Sequence, residues 1–260
     1  MKKILLIGDP VEHSLSPAIQ NAAFKTLGLP FCYEALKIPF GSFEEEIHKV
    51  FHSPEVVGAN ITTPFKELIL PFVDPDPMAK ELGAVNAVVR DGGRWLGRNT
   101  DVYGAEMLLR DLNVFGKNGL ILGKGGAGRA ASYALRALGG IPTILSRKDE
   151  NWPKINKLAS KNDLIINATG SDDIPLEWGK IPTETLAIDL RYYPLRPRFL
   201  KEAEAFGHIS LNGLQMLLFQ GAKSFEIWTG KEAPLEVMRE HLLGASVRNH
   251  NSIPGGKNTP

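Results

Sequence analysis

The chain has 260 residues, 43% of them apolar, which is enough for one large domain or two modest ones with a buried core. Lysine and arginine number 30 against 29 aspartates and glutamates, so no overall field draws the chain to nucleic acid or to an anionic membrane surface. Cys32 is the single cysteine, which excludes an intramolecular disulfide and reads as a small core residue.

The start, Met1-Lys2-Lys3 and a few apolar residues, has the basic opening of a signal peptide, but the apolar run is short and meets Gly8-Asp9-Pro10 at once. Residues 3–7 therefore read as a first strand. No stretch approaches the roughly 20 apolar residues of a membrane span, and a cytoplasmic protein is expected. Residues 17–27 have helical spacing, with Ser16 as N-cap and Pro17 at the first helical position. A strand is expected over 33–38. An amphipathic helix follows over 42–51, where Ser42 and Glu45 come close to a capping box. Then come a strand over 56–61, helical pieces over 66–70 and 77–82, and a strand over 84–90. This alternation predicts an α/β layer with a largely parallel sheet.

A second cycle opens with a helix over 102–112 and a strand over 118–122. A helix over 128–138 and short apolar strands over 141–145, 164–167 and 186–190 follow, the rhythm of a dinucleotide-binding domain. Helices are expected over 213–228 and 234–243. The tail 249–260, polar and rich in glycine and proline, is expected to be disordered.

Between the strand and helix of the second cycle lies Gly123-Lys124-Gly125-Gly126-Ala127-Gly128, which satisfies G-x-G-x-x-G in its required strand-turn-helix context. The first glycine permits a tight turn, the second lets backbone approach a pyrophosphate, and the third allows close helix packing. The alternative is a glycine-rich turn without a ligand. At the end of the next strand, where an NAD site usually has a carboxylate, stands Ser146-Arg147-Lys148. Two cations there suit the 2′-phosphate of NADP, and the alternative is a solvated basic turn.

The first half carries Gly8-Asp9-Pro10, His13-Ser14-Leu15-Ser16-Pro17, Gly58-Ala59-Asn60-Ile61-Thr62-Thr63-Pro64-Phe65-Lys66, Gly83-Ala84-Val85-Asn86 and Asn99-Thr100-Asp101. The second carries Asn167-Ala168-Thr169, the run from Asp189 to Pro194, and the run from Gly213 to Gln220. With these motifs in order between residues 4 and 230, the chain resembles the shikimate dehydrogenase family. The resemblance implies reversible NADPH-dependent reduction of 3-dehydroshikimate to shikimate, in chorismate and aromatic amino acid biosynthesis. It implies Lys66 and Asp101 as the catalytic pair. Ser14 and Ser16 would bind the substrate carboxylate, helped by Tyr192. Asn60, Thr62, Lys66, Asn86, Asp101 and Gln220 would line the hydroxylated ring. Gly123, Lys124, Gly125, Gly126, Ala127, Ser146, Arg147, Lys148, Thr169, Leu190 and Gly213 would hold NADP, the last two near the nicotinamide.

A hydroxylated carboxylate ring needs many short polar side chains at strand ends, and a site built to hydrogen-bond hydroxyls rejects analogues that lack them. Each residue has a plainer alternative: Ser14 and Ser16 as helix caps, Asn60 and Asn86 as turn formers, Lys66 as a solvated lysine. The six histidines show no metal-ligand spacing, and His13 reads as a turn residue. The chain departs from the family pattern at Gln20, Ala87, Lys124, Pro197 and Gln215, which bear on substrate breadth and cofactor affinity more than on reaction type.

The expected architecture is two α/β domains: residues 1–101, completed by 213–248, for substrate and catalysis, and 102–212, a Rossmann-like doubly wound domain for NADP, with the active site in the cleft between them. The expected partners are the small-molecule substrate and cofactor, with no metal, nucleic acid or membrane, for a monomer or homodimer. Two rivals stand beside this: a quinate/shikimate dehydrogenase of broader substrate range that uses NAD, and a non-catalytic dinucleotide-binding regulator, which would be expected to have lost the Lys66/Asp101 pair.

Overall fold

The computed structural model describes residues 1–251. By packing, they divide into two units, residues 1–100 with the chain from 220 onward, and residues 101–219.

The first unit contains β1 (Lys2–Gly8), α1 (Ser16–Thr26), β2 (Phe31–Lys37), α2 (Phe43–His52), β3 (Val56–Ile61), β4 (Asp74–Pro75), α3 (Pro77–Leu82), β5 (Ala87–Asp91) and β6 (Arg94–Arg98). Its sheet runs β2-β1-β3-β5-β6-β4. β1 pairs in parallel with β2 and β3, as expected, but β5 runs antiparallel to both β3 and β6. The hairpin between β5 and β6 turns on Gly92 and Gly93, at φ 52° and 84°, a conformation that glycine adopts without a Cβ penalty. One face of the sheet buries Leu5, Ile7, Ile61, Phe65 and Trp95 against Ile47 and Val50 of α2.

The second unit contains α4 (Asp101–Asp111), β7 (Asn118–Leu122), α5 (Gly126–Ala137), β8 (Ile141–Leu145), α6 (Ile155–Ala159), β9 (Leu164–Asn167), β10 (Leu186–Asp189), α7 (Arg198–Ala205) and β11 (Ser210–Asn212). Its sheet, β11-β10-β9-β7-β8, is parallel throughout. Strand side chains alternate between two cores. Ile121 and Ile166 pack with Ala105 of α4 and Ala131 of α5, whereas Leu120, Leu122 and Ile165 pack with Ile155 of α6 and Phe199 of α7. Burial on both faces explains why β7, β9 and β10 read as largely apolar runs, while the edge strands β8 and β11 are half-buried. The order reverses at β7, between β8 and β9, the place where open parallel sheets bind ligands at their carboxyl ends.

α8 (Leu214–Thr229) and α9 (Leu235–Asn251) end the described chain. The division between the units falls inside α8, between Phe219 and Gln220. Met216, in its first turn, packs in the second unit's core, whereas the sequence puts the second crossing near residue 212. α9 continues to Asn251, so the expected tail begins later than residue 249, and its remainder, 252–260, lies outside the described residues.

Local expectations fail where capping was invoked. Ser16 is the first residue of α1 rather than its cap: Leu15 holds the cap position without a side-chain bond, and the Ser16 N–H donates to Ser14 Oγ at 3.2 Å. Ser42 caps α2 by position only, with no capping-box bond. Residues 66–70 form turns leading into a 3₁₀ turn at Leu70–Phe72, because Pro71 has no N–H to carry a helix on. No helix among the described residues is long and apolar enough to cross a membrane.

Candidate functional site

In the first unit, the carboxyl ends of β1 and β3 are stitched to the segment before β5. Thr62 N–H donates to the Ile7 carbonyl at 2.8 Å and Asp9 N–H to the Thr63 carbonyl at 3.0 Å. Ile61 N–H donates to the Asn86 carbonyl at 2.9 Å and Val85 N–H to the Lys66 carbonyl at 2.8 Å. Thr62, Lys66 and Asn86 are thereby brought side by side. A Cβ on Gly8 would collide with the Thr62 methyl, which explains the glycine that closes β1. Thr62, Lys66 and Ser14 are half-buried.

Behind these lies a buried polar network. The Tyr33 hydroxyl donates to Asn60 Oδ1 at 2.7 Å. Asn60 Nδ2 donates to the Asn86 carbonyl and to Ser224 Oγ, both at 3.0 Å. Ser224 Oγ shares a hydrogen bond of 3.0 Å with Thr100 Oγ1. Asn86 Oδ1 accepts the Thr100 N–H at 2.6 Å, and its Nδ2 donates to Thr100 Oγ1 at 3.0 Å and, weakly, to Gln220 Oε1 at 3.5 Å. Asn60, Asn86 and Gln220 are therefore held as one set, with both amide hydrogens of Asn60 engaged inside the protein. α8 reaches this set because Gly58 has no Cβ: one there would lie 2.6 Å from the Trp228 ring, whose Nε1 donates to the Val88 carbonyl at 2.9 Å. Gln20 of α1 donates to the Gly221 carbonyl at 2.8 Å, which ties the helix carrying Ser16 to the residue after Gln220.

The loop before α1 is fastened from β2. Lys37 Nζ lies 2.9 Å from Glu12 and 3.3 Å from Asp9. The Lys37 hydrogen bond, with backbone N–H donors at Glu12 and Val11, holds the Glu12 carboxyl at about 2.

In the second unit, Gly123 has φ 113°, and a Cβ there would lie 2.9 Å from the Ala168 carbonyl oxygen and 3.2 Å from Thr169 N. The loops after β7 and β9 thus lie backbone to backbone, which brings Gly123 and Thr169 together. A Cβ on Gly128 would strike the Gly123 carbonyl, so that glycine serves packing. Gly125 is different: nothing lies within 4 Å of its Cβ position, and it caps α5 without a side chain. Open space over backbone N–H groups at a helix start fits an approaching pyrophosphate. Thr169 N–H and Oγ1 both donate to Asn167 Oδ1, at 3.0 and 2.7 Å. Fully buried Asn167 is fixed in turn by Asp189, which takes its Nδ2 at 2.8 Å. Arg191 grips Asp189 through both carboxylate oxygens, at 3.0 and 2.7 Å, and reaches Asp172 at 2.8 Å. Burial pushes Asp172 up, but the Arg191 guanidinium outweighs it and holds the carboxyl below its ordinary range. Leu190 and Gly213 meet closely, since a Cβ on Gly213 would strike the Leu190 carbonyl, and Tyr192 is half-buried beside Arg191.

The cations after β8 divide. Arg147 donates to Ser171 Oγ at 3.0 Å and, closely, to the Asp173 carbonyl. Because β7 lies between β8 and β9, this arm bridges the loops on either side of the glycine loop. Lys148 is exposed, and Lys124 turns toward Asp149.

Lys66 belongs to the first unit, while Asp101, buried, opens α4 in the second. Tyr33, Ser224, Gln20, Asp149 and Arg191 were not singled out from sequence as part of either set. Arg191 lies inside the run from Asp189 to Pro194, and Asp149 stands three residues after Ser146 in a polar turn, so both lay beside residues the sequence marks.

A family model described as the shikimate dehydrogenase substrate binding domain matches residues 6–88, and one described as the shikimate 5′-dehydrogenase C-terminal domain matches residues 213–243. Shikimate dehydrogenase (NADP(+)) of Staphylococcus haemolyticus is 37% identical, over 93% of this chain and 97% of that protein. The shikimate 5-dehydrogenase of Thermus thermophilus, solved in complex with NADP(H) and shikimate, superposes with a TM-score of 0.84 at 36% identity, over 94% of this chain and 100% of the other. That of Listeria monocytogenes, solved with shikimate and NAD, has a TM-score of 0.76 at 31% identity, over 93% of this chain and 96% of the other. With kinship of this extent spanning both units, the chain belongs to the shikimate dehydrogenase family.

Proposed function

We propose that this chain is an NADP-dependent dehydrogenase that reversibly reduces 3-dehydroshikimate to shikimate, an oxidoreductase of a CH–OH group in the route to chorismate and the aromatic amino acids. The observation that carries this reading is the 37% identity, over nearly the whole length of both chains, to a shikimate dehydrogenase (NADP(+)).

The first unit would bind substrate and the second NADP. The hydroxyls of Ser14 and Ser16 would hold the carboxylate, with Tyr192 assisting. The set of Asn60, Thr62, Asn86 and Gln220 would receive ring hydroxyls, its amide planes held by Tyr33, Thr100 and Ser224. Gly125, Gly126 and Ala127 would present backbone N–H groups to the pyrophosphate, and Arg147 and Lys148 would face the 2′-phosphate. When bound, NADPH supplies the hydride for the ketone carbon. Negative charge then develops on the ketone oxygen, and Lys66 would meet that oxygen with a proton, or with its charge. In oxidation, Lys66 would take the hydroxyl proton. Asp101 would orient the lysine and accept a hydrogen bond from a ring hydroxyl. The protein would work in the cytoplasm as a monomer or homodimer, on small molecules alone.

A second reading, a quinate/shikimate dehydrogenase that uses NAD, draws support from the Listeria relative solved with NAD. One spectrophotometric experiment separates the two: shikimate and quinate, each with NADP and NAD, without added metal, from neutral to alkaline pH. Reduction of NADP with shikimate supports the main reading, comparable rates with quinate and NAD support the second, and no NADPH formation at any pH sinks both.

A further inference from the structure

Lys124 stands in the glycine loop, and its charge has a definite destination. Its ammonium lies 2.6 Å from Asp149 Oδ1. The other oxygen, Oδ2, accepts the Ser146 N–H at 2.8 Å, and the Asp149 N–H donates to the Ser146 carbonyl at 3.0 Å. One carboxylate thus clasps the loop after β7 to the turn after β8. Both bonds favour its charged form and hold its pKa below the ordinary range, the Lys124 bond first and the Ser146 N–H second. Lys124 and Lys148 line the same cleft, of about 490 Å³, together with Asp149, Thr143 and Leu158, and Arg147, one residue before Lys148, is bonded to Ser171 and Asp173.

An acid at this edge of a nucleotide-binding sheet ordinarily receives the ribose 2′-hydroxyl of NAD. Asp149 has both oxygens engaged already, so it orders its own loops. Lysine loses much rotamer freedom when a ligand fixes it, and a lysine fixed beforehand loses less on binding.

We infer that Asp149 is a positioning residue for cofactor choice: it holds Lys124 against the turn after β8, so that the glycine loop itself contributes a cation toward the 2′-phosphate. This rests on the reading of the second unit as the NADP site. Asp149 acts through Lys124, and its loss is felt by the phosphorylated cofactor.

The test uses Asp149→Asn, Asp149→Glu, Lys124→Ala and the Asp149→Asn/Lys124→Ala double variant, with Michaelis constants for NADP and NAD measured at saturating shikimate. Asp149→Asn should raise the NADP constant about fivefold, the upper end for an exposed charge pair, and leave the NAD constant nearly unchanged. Asp149→Glu should restore most of the loss. In the Lys124→Ala background, Asp149→Asn should have no further effect, since a residue that works through another is not additive with it. Equal shifts with both cofactors, additive losses, or a lowered NADP constant would each overturn the proposal. The last of these would show that the charge of Asp149 repels phosphate more than its clasp assists. A wild-type enzyme without any preference for NADP would instead bring down the 2′-phosphate assignment, and this inference with it.

Discussion

Ser224→Ala tests whether the polar network of the first unit works as one body. Ser224 is fully buried, and its hydroxyl meets Asn60 Nδ2 and Thr100 Oγ1, each at 3.0 Å. Asn60 has two amide hydrogens and two acceptors, the Asn86 carbonyl and Ser224, so the variant orphans one of them. Thr100 keeps Asn86 and a long contact to Gln220. A buried donor left unpaired costs about 1–3 kcal/mol. For a chain of this size, that lowers the melting temperature by roughly 2–12 °C. Because the same bond sets the plane of the Asn60 amide, and Thr100 sets that of Asn86, the Michaelis constant for shikimate should rise while that for NADP stays put. Thermal melting by circular dichroism and steady-state kinetics with each substrate varied give both readouts. A variant that melts with the wild type and keeps its shikimate constant would refute the reasoning.

Arg147→Ala removes both the arm to Ser171 and Asp173 and the guanidinium proposed to face the 2′-phosphate; a charge-assisted contact to that phosphate is worth about 1.5–3 kcal/mol, so the NADP Michaelis constant should rise about tenfold or more with that of NAD little changed. An equal loss with both cofactors would make the arginine a structural bridge only. Lys66→Ala should lower turnover about 100- to 10,000-fold with shikimate binding by calorimetry largely kept, whereas Asp101→Asn should lose both; near wild-type turnover in Lys66→Ala would place the proton transfer elsewhere. Gly123→Ala puts a Cβ at φ 113° and 2.9 Å from the Ala168 carbonyl, so both NADP binding, by fluorescence titration, and melting temperature should fall; retention of both would mean that the loops after β7 and β9 part at little cost.

The central strands of the second unit were legible because burial on both faces leaves no room for polar residues: Leu120 to Leu122 and Leu164 to Ile166 are apolar without a break, whereas the half-buried edge strand β11, Ser210-Leu211-Asn212, was missed. The hairpin strand β6 was not. Arg94-Trp95-Leu96-Gly97-Arg98 has charged ends, and its glycine is demanded by Val73 and Val85, whose methyls would lie 2.8 and 2.9 Å from a Cβ. The double glycine at 92–93 was the missed turn signal. α6, of 5 residues, is too short to display a helical period, and α7, of 8 residues, shows one over little more than two turns; both follow a proline-containing turn. The capping expectations failed for a related reason, since a serine at the right offset does not cap when the backbone before it is already helical, as at Leu15 with φ −88° and ψ −8°.

The candidate site divides along the same line. The residues proposed to meet a ligand, Asn60, Thr62, Lys66, Asn86 and Gly123, fall in strand-terminal motifs that sequence displays. Residues that hold them need only lie nearby in space. Ser224 sits mid-helix, 164 residues from Asn60, and Tyr33 lies inside β2, with nothing local to mark either. Gln20 is 201 residues from the Gly221 carbonyl it binds. Yet these supports decide what the motif residues can do. An amide whose hydrogens are both engaged presents one fixed face, and a site made of such amides tells a ring with its hydroxyls in place from one without them, since a missing hydroxyl leaves a buried partner unpaired. Selectivity for a hydroxylated ring would then reside as much in Tyr33, Thr100 and Ser224 as in the side chains that touch it, and variants of the supports should blur discrimination between shikimate and its deoxy analogues before they stop turnover.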